Sequence, residues 1–306
     1  MKLGGHIGGF EGDLTDLAKI AVARGYTFFQ IFFGDSSKYD VRYKPSKEEI
    51  KSFTTFMQKH EMRFSSHFPY KLNLCWPNAA MNCVQIELSR VAAIGGRVVL
   101  HVGSFTDNKY DNRSIAPLLA KEKSDLTEDQ QTKVKVWTKG WQTGMDLVIE
   151  NLNKLSYPDN ITYPLLLEPP AGEGKKLGWS KRQLKYLFDR APQGVGLCLD
   201  TCHSFAAGTC RYDTADGVDS FMKQVGEAIG GIQKLKLIHL NDSSDTFGAM
   251  KDHHAVLGQG NIWGDPEQMP GLIKLFEICK EHEIDMVSEC GTTEDFELMK
   301  AINDSL

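Results

Sequence analysis

The 306-residue sequence alternates eight short apolar or β-branched runs with longer amphipathic stretches: KLGGHI, TFFQIFF, RFSSH, RVVLHV, PLLLE, VGLCLD, LKLIHL and DMVSEC. A strand covered on both faces reads as such a run, and strands interleaved with helices build a parallel sheet. The helix starts between them have identifiable chemistry. Ser46–Glu49, Thr127–Gln130 and Ser180–Gln183 have capping-box spacing. Asp265 before Pro266 reads as an N-cap with proline at the first helical position. Leu17, Ile20 and Ala21, and again Ile50, Phe53 and Met57, recur as a stripe packed on a sheet would. Eight such units close into an α/β fold, a (β/α)8 TIM barrel over 1–306, whose active site lies at the C-terminal ends of the strands.

Those ends carry a pattern of their own. The third run ends on His67, the fourth on His101, the fifth on Glu168 and the sixth on Asp200, with His203 just beyond. The seventh ends on His239 and the eighth reaches Glu289; His6 on the first run is a further candidate. A lone histidine at a strand end is more commonly a hydrogen-bonded core residue, and a lone carboxylate a helix cap. A barrel gathers all of them in one mouth, however, where the carboxylates would repel one another unless cations neutralised them. Histidine, aspartate and glutamate without cysteine make the ligand set of catalytic zinc or a similar divalent metal. After the seventh run a polar loop adds Asp252 and His254 in a D-x-H arrangement, which with His203 completes a separate three-ligand position. Nine ligands exceed one four-coordinate ion, so a cluster of two or three metals is implied.

Composition narrows the setting. The seven cysteines are odd in number, scattered and without a C-x-x-C pair, as expected of reduced thiols in a cytoplasmic or nuclear protein. No run approaches a membrane span, and the N-terminus lacks the apolar stretch of a signal peptide. The net charge of −5 gives no global attraction to a polyanion, so nucleic acid would have to be held by a local field.

The same residues resemble the endonuclease IV family of apurinic/apyrimidinic endonucleases. GLCLDTCH at 196–203, continued by SFAAG, looks like its hallmark segment. HFPYKLNL at 67–74 is similar to its H-x-x-Y-x-x-N-L, and LHVGS at 100–104 to its fourth strand end. HLNDSSDTFG…DHH at 239–254 and LGQGNI at 257–262 follow its later motifs, and the match runs from GGH at 4–6 to Glu289. The resemblance implies a TIM barrel with three Zn2+, Mn2+ or another divalent metal being admissible at one position. It assigns His67 and His101 to the first ion, with Glu168 bridging to a second that Asp200, His239 and Glu289 complete. His203, Asp252 and His254 take the third. Three divalent ions against four carboxylates leave about +2 at the mouth of an acidic protein.

The implied reaction is hydrolysis of the phosphodiester 5′ to an abasic site in double-stranded DNA, as in base excision repair, leaving a 3′-hydroxyl and a 5′-deoxyribose phosphate. Glu168 and Glu289 would orient or deprotonate the water, and Tyr70, Asn73 and Lys38 would contact DNA. The chain is expected to be a monomer. It departs from the family at Ser244, where lysine is usual, at His253, where arginine is usual, and at Lys71, where an apolar wedge is usual. Two rival readings are a metal-dependent sugar isomerase or epimerase barrel, which needs only one or two metals, and a non-catalytic DNA-binding relic. A polar insertion at about 105–135 reads as a solvated loop with part of a helix, a substrate-facing lid being the sharper alternative. Trp76, Trp137, Trp141, Trp179 and Trp263 lack regular spacing and read as packing residues; Gly258 and Gly260 read as turns.

Overall fold

The structure, a computed structural model, describes residues 1–8, 13–33, 44–76, 80–264 and 268–306. Strands β1 (Leu3–His6), β2 (Phe28–Ile31), β3 (Arg63–His67), β4 (Arg97–His101), β5 (Leu165–Glu168), β6 (Val195–Asp200) and β7 (Leu235–His239) are joined by β10 (Asp285–Ser288). These eight close a parallel barrel in the order β1-β10-β7-β6-β5-β4-β3-β2. Each coincides with one of the eight apolar runs. A hairpin, β8 (Asp242–Ser243) with β9 (His254–Ala255), rises from the loop after β7. The helices are α1 (Leu14–Ala23), α2 (Lys47–Lys59), α3 (Met81–Ala93), α4 (Asn112–Leu119), α5 (Glu128–Leu152), α6 (Lys181–Phe188), α7 (Thr201–Ala206), α8 (Ala215–Ile229), α9 (Pro270–Glu281) and α10 (Thr293–Ser305).

Side chains alternate across each strand, and that alternation builds the site. Phe28, Val99, Leu166, Cys198, Leu237 and Val287 form an apolar cluster of their own, separate from the larger core between sheet and helices. Two residues further along the same strands, and therefore on the same face, stand Gln30, His101, Glu168, Asp200, His239 and Glu289. An apolar plug thus underlies a polar layer. A register shift between Leu197 and Cys198 sets Asp200 opposite His239.

The predicted caps hold in part. Thr127 and Gln130 form a full capping box on α5. Ser46 and Ser180 accept from Glu49 N and Gln183 N, but the Glu49 and Gln183 side chains turn away to Leu14 N and Gly178 N. Of the first helix stripe, Leu17 and Ala21 are buried while Ile20 is exposed. The Asp265–Pro266 cap lies outside the described residues; α9 begins with Pro270. The 105–135 insertion, expected to be a loop with part of a helix, is more helical than that. It holds α4 and the first turns of α5, and buried Asn112 ties it to the barrel by donating to Gly172 O and Lys176 O and accepting from Trp137 Nε1.

Candidate metal centre

All nine predicted ligands converge at the C-terminal mouth. Their donor atoms fall into groups in which every atom lies within 4.8 Å of the others: His67, His101 and Glu168; Glu168, Asp200, His239 and Glu289; and His203, Asp252 and His254. Two overlapping sets, His67–His239–Glu289 and Asp200–Cys202–His254, share the same space. Burial raises the Cys202 thiol pKa far above its ordinary value, which disfavours the thiolate that a metal requires.

Glu168 is the hub. Its Oε2 lies 3.0 Å from His67 Nε2 and 3.6 Å from His101 Nδ1, and its Oε1 lies 3.0 Å from His239 Nδ1 and 3.4 Å from His203 Nδ1. Asp200 explains why the greasy sixth strand stops on a carboxylate. Its Oδ1 caps α7 by accepting from His203 N at 2.8 Å, which turns His203 away toward Asp252. Its Oδ2 accepts from Asn241 Nδ2 and lies 3.8 Å from His254 Nε2. The third group closes around Asp252, 3.1 Å from both His203 Nε2 and His254 Nε2.

The histidines are preset as ligands. His67 Nδ1 is 2.9 Å from Phe68 O, His203 Nδ1 is 2.9 Å from Pro169 O, and His239 Nε2 is 3.0 Å from Gln30 Oε1. Each can donate its outward N–H to that oxygen, which leaves a lone pair on the inward nitrogen, the usual arrangement of a metal-bound imidazole. Those inward nitrogens face carboxylates, themselves acceptors, so a neutral ring cannot satisfy both sides. His101 Nδ1 is buried without a hydrogen-bond partner, and His254 Nε2, though 3.1 Å from Asp252, makes no well-directed hydrogen bond. The electrostatics agree. Burial opposes a second proton on His203, but Asp200 and Asp252 outweigh it and hold the imidazole well above its usual range. His254 is likewise raised to about 9 despite burial, by Asp252, Asp200 and Glu289. Protons here stand where cations fit, and the donor set suits divalent metal.

Gln30 escaped sequence reading because it is neutral and sits within an aromatic run. It is fully buried; its Oε1 lies 3.0 Å from His239 Nε2 and accepts from Ser65 Oγ, and its Nε2 donates to Glu289 Oε1. One amide therefore orients two ligands. Its signal was its parity with Phe28, which puts it in the ligand layer. Gln30→Ala should weaken metal binding about 10–100-fold, the usual cost of losing such support; competition against a zinc chelator measures it, and unchanged affinity would remove Gln30 from the account.

His6 joins no ligand group among the described residues; burial lowers its pKa to about 4, and it packs against Phe32. Asp242 anchors the loop after β7 by accepting from the backbone N–H of Ser243, Gly258, Gly260 and Ile262. Gly258 and Gly260 are thus turns, as expected. A Cβ on Gly260 would sit 2.4 Å from Asp242 Oδ1.

Of the predicted DNA contacts, Tyr70 is exposed beside the cluster, its ring 5.2 Å from that of His67. Asn73 lines the same cleft, but its amide is engaged internally: Nδ2 donates to Ser104 O, and Oδ1 accepts from Ser104 N and Cys75 N. Those bonds hold the loop after β3. Lys38 lies outside the described residues. His253 and Ser244, where the family carries cations, belong to a loop network: His253 pairs with Asp245 at 2.7 Å, and Ser244 Oγ donates to His253 O. Trp137, Trp141, Trp179 and Trp263 are buried, whereas Trp76 is not a packing residue; it is 51% exposed.

Comparison with known proteins bears out the barrel. The sequence profile of the xylose isomerase-like TIM-barrel family matches residues 18–269. A probable endonuclease 4 of Clostridium beijerinckii is 27% identical over 271 residues, 86% of this chain and 84% of that protein. The solved structure of endonuclease IV from Thermus thermophilus superposes with a TM-score of 0.70 at 23% identity, covering 100% of both chains. An L-ribulose 3-epimerase shares the barrel at a TM-score of 0.55 and 13% identity, over 100% of this chain and 86% of that one. The chain belongs to the xylose isomerase-like TIM-barrel family, and within it to the endonuclease IV branch.

Proposed function

We propose that this chain is a DNA-repair hydrolase that cuts the phosphodiester 5′ to an abasic site, with a three-metal zinc cluster held by the nine converging ligands. The observation that carries the reading is the division of those ligands into three groups, two of which share Glu168, with outward ring nitrogens already engaged. The first group would hold one ion, the group around Asp200, His239 and Glu289 a second, and His203, Asp252 and His254 a third. Bound there, divalent cations supply Lewis acidity to the phosphate oxygens and lower the pKa of a water.

The chain's own residues do the rest. Glu168 is enclosed by imidazoles; burial favours its neutral form, but His101 and His239 outweigh that and keep it ionised far below the ordinary carboxylate range. It suits a bridging anion rather than a proton carrier. Glu289 is 14% exposed at its side chain and is oriented on both sides, its Oε1 accepting from Gln30 and its Oε2 from Asn241 Nδ2 at 3.1 Å. Glu289 is the better placed to take the proton of the attacking water. Tyr70 would sit against the strained duplex, and an abasic nucleotide is the cheapest to extrude because it has no base to unstack. Seven unpaired thiols suit an intracellular setting, and no helix among the described residues is long and apolar enough to cross a membrane.

Zinc-loaded protein should nick a duplex carrying one tetrahydrofuran abasic analogue and leave an extendable 3′-hydroxyl. Tyr70→Ala should raise KM more than it lowers kcat, because the ring touches DNA rather than the reacting phosphate. An inert zinc-loaded protein defeats the reading. Conversion of a ketose to its epimer by the same preparation would favour the sugar-epimerase alternative.

A further inference from the structure

A cleft of about 380 Å³ opens beside the first ligand group, with Tyr70, Lys71, Trp76, His101, Lys176 and Asp252 in its lining. Two of its walls are aromatic rings left largely in water, Trp76 at 51% and Tyr70 at 56% exposure. An indole so placed adds little to folding, and an abasic deoxyribose offers it no aromatic face. The cleft also has a cationic side. Lys71 is exposed, and Lys176, though paired with Glu173, keeps further ammonium donors for a second anion. Lysines beside an open indole, continuous with the cluster through His101 and Asp252, match a nucleotide: a π-face to stack and a phosphate to hold.

We infer that this cleft is a subsite for a base-bearing, unstacked nucleotide adjoining the abasic one. Its base packs on Trp76, and its phosphate lies between Lys71 and Lys176. The inference rests on DNA as the substrate and deepens that reading: the protein grips an intact neighbour as well as the lesion. It also gives a use to Lys71, where the family's usual wedge is apolar.

The probe is dAMP, with deoxyribose 5-phosphate as its base-less counterpart, titrated into the zinc-loaded full chain by equilibrium dialysis and tryptophan emission. Any affinity of the cluster for phosphate is common to both ligands, so their difference reports the base. dAMP should bind at least about fivefold more tightly, the lower range for stacking one base, and should quench the exposed indole. Trp76→Phe should keep the preference and lose the quenching. Trp76→Ala should bring dAMP to the level of deoxyribose 5-phosphate, and Lys71→Ala with Lys176→Ala should weaken both ligands alike. Equal affinity for the two ligands, quenching that survives in Trp76→Phe, or a preference that survives in Trp76→Ala would overturn the subsite. A preference for dAMP in a protein that fails to nick abasic duplex removes the endonuclease reading and leaves the subsite; nicking without the preference removes the subsite alone.

Discussion

Glu168→Gln is expected to lower the rate of abasic-site nicking by about 10³-fold or more and to cost the protein at least one bound ion. Removing a single preorganised electrostatic group from an active site typically costs about 10²–10³ in rate. Glu168 does more than one such group, because both its oxygens face imidazoles: His67 and His101 on one, His239 and His203 on the other. Glutamine keeps the volume but replaces one oxygen by an N–H2 donor and removes the charge that would join the first two ions. Plasma emission on the purified variant gives the ion count, and a nicking assay gives the rate. A variant that keeps its full complement and nicks within tenfold of the parent would show that Glu168 does not bridge.

Metal removal should have the second largest effect, on both activity and stability. Chelation should abolish nicking, and added zinc should restore it. An ion present at a thousandfold over its dissociation constant stabilises the folded state by about 4 kcal/mol. With an unfolding entropy of about 2.1 cal/mol/K per residue, each kcal/mol moves the Tm of a chain this long by about 1.5 °C, so the metal-free protein should melt about 6 °C lower. The sign follows from the site. Without cations, Asp200 and Glu289 stand in a buried cluster with Glu168, beside Asp252, and each raises the charge burden of the others. Identical melting curves with and without chelator would mean that proton-bridged hydrogen bonds alone hold the cluster.

Much of this architecture is legible in the sequence because the two relevant periodicities coincide. Burial on both faces makes most barrel strands apolar runs, and in the fourth, fifth and sixth the site appears as the first residue to break the run: His101, Glu168 and Asp200. What stayed illegible lacks such a break. Gln30 is uncharged, sits mid-run and shows its role only through its partners across the barrel, His239 and Glu289. Trp76 looks like core by composition, and only the turn after β3 decides that it faces a cleft. Asn73 carries a family-like position, yet its amide is taken up by Ser104, a contact some thirty residues away that local spacing cannot foretell. The 105–135 stretch reads as a loop with part of a helix because its polar residues dominate; the cap at Thr127 is legible, but the distant contacts of Asn112 with Gly172 and Lys176, which secure α4, are not.

Diffraction at the zinc absorption edge from crystals of the zinc-loaded chain is the most direct measurement of all, since it counts ions and locates them together. Three anomalous peaks are predicted, one among His67, His101 and Glu168, one among Asp200, His239 and Glu289, and one among His203, Asp252 and His254. A barrel mouth without any peak after zinc loading, or ions seated away from these nine side chains, would contradict the account.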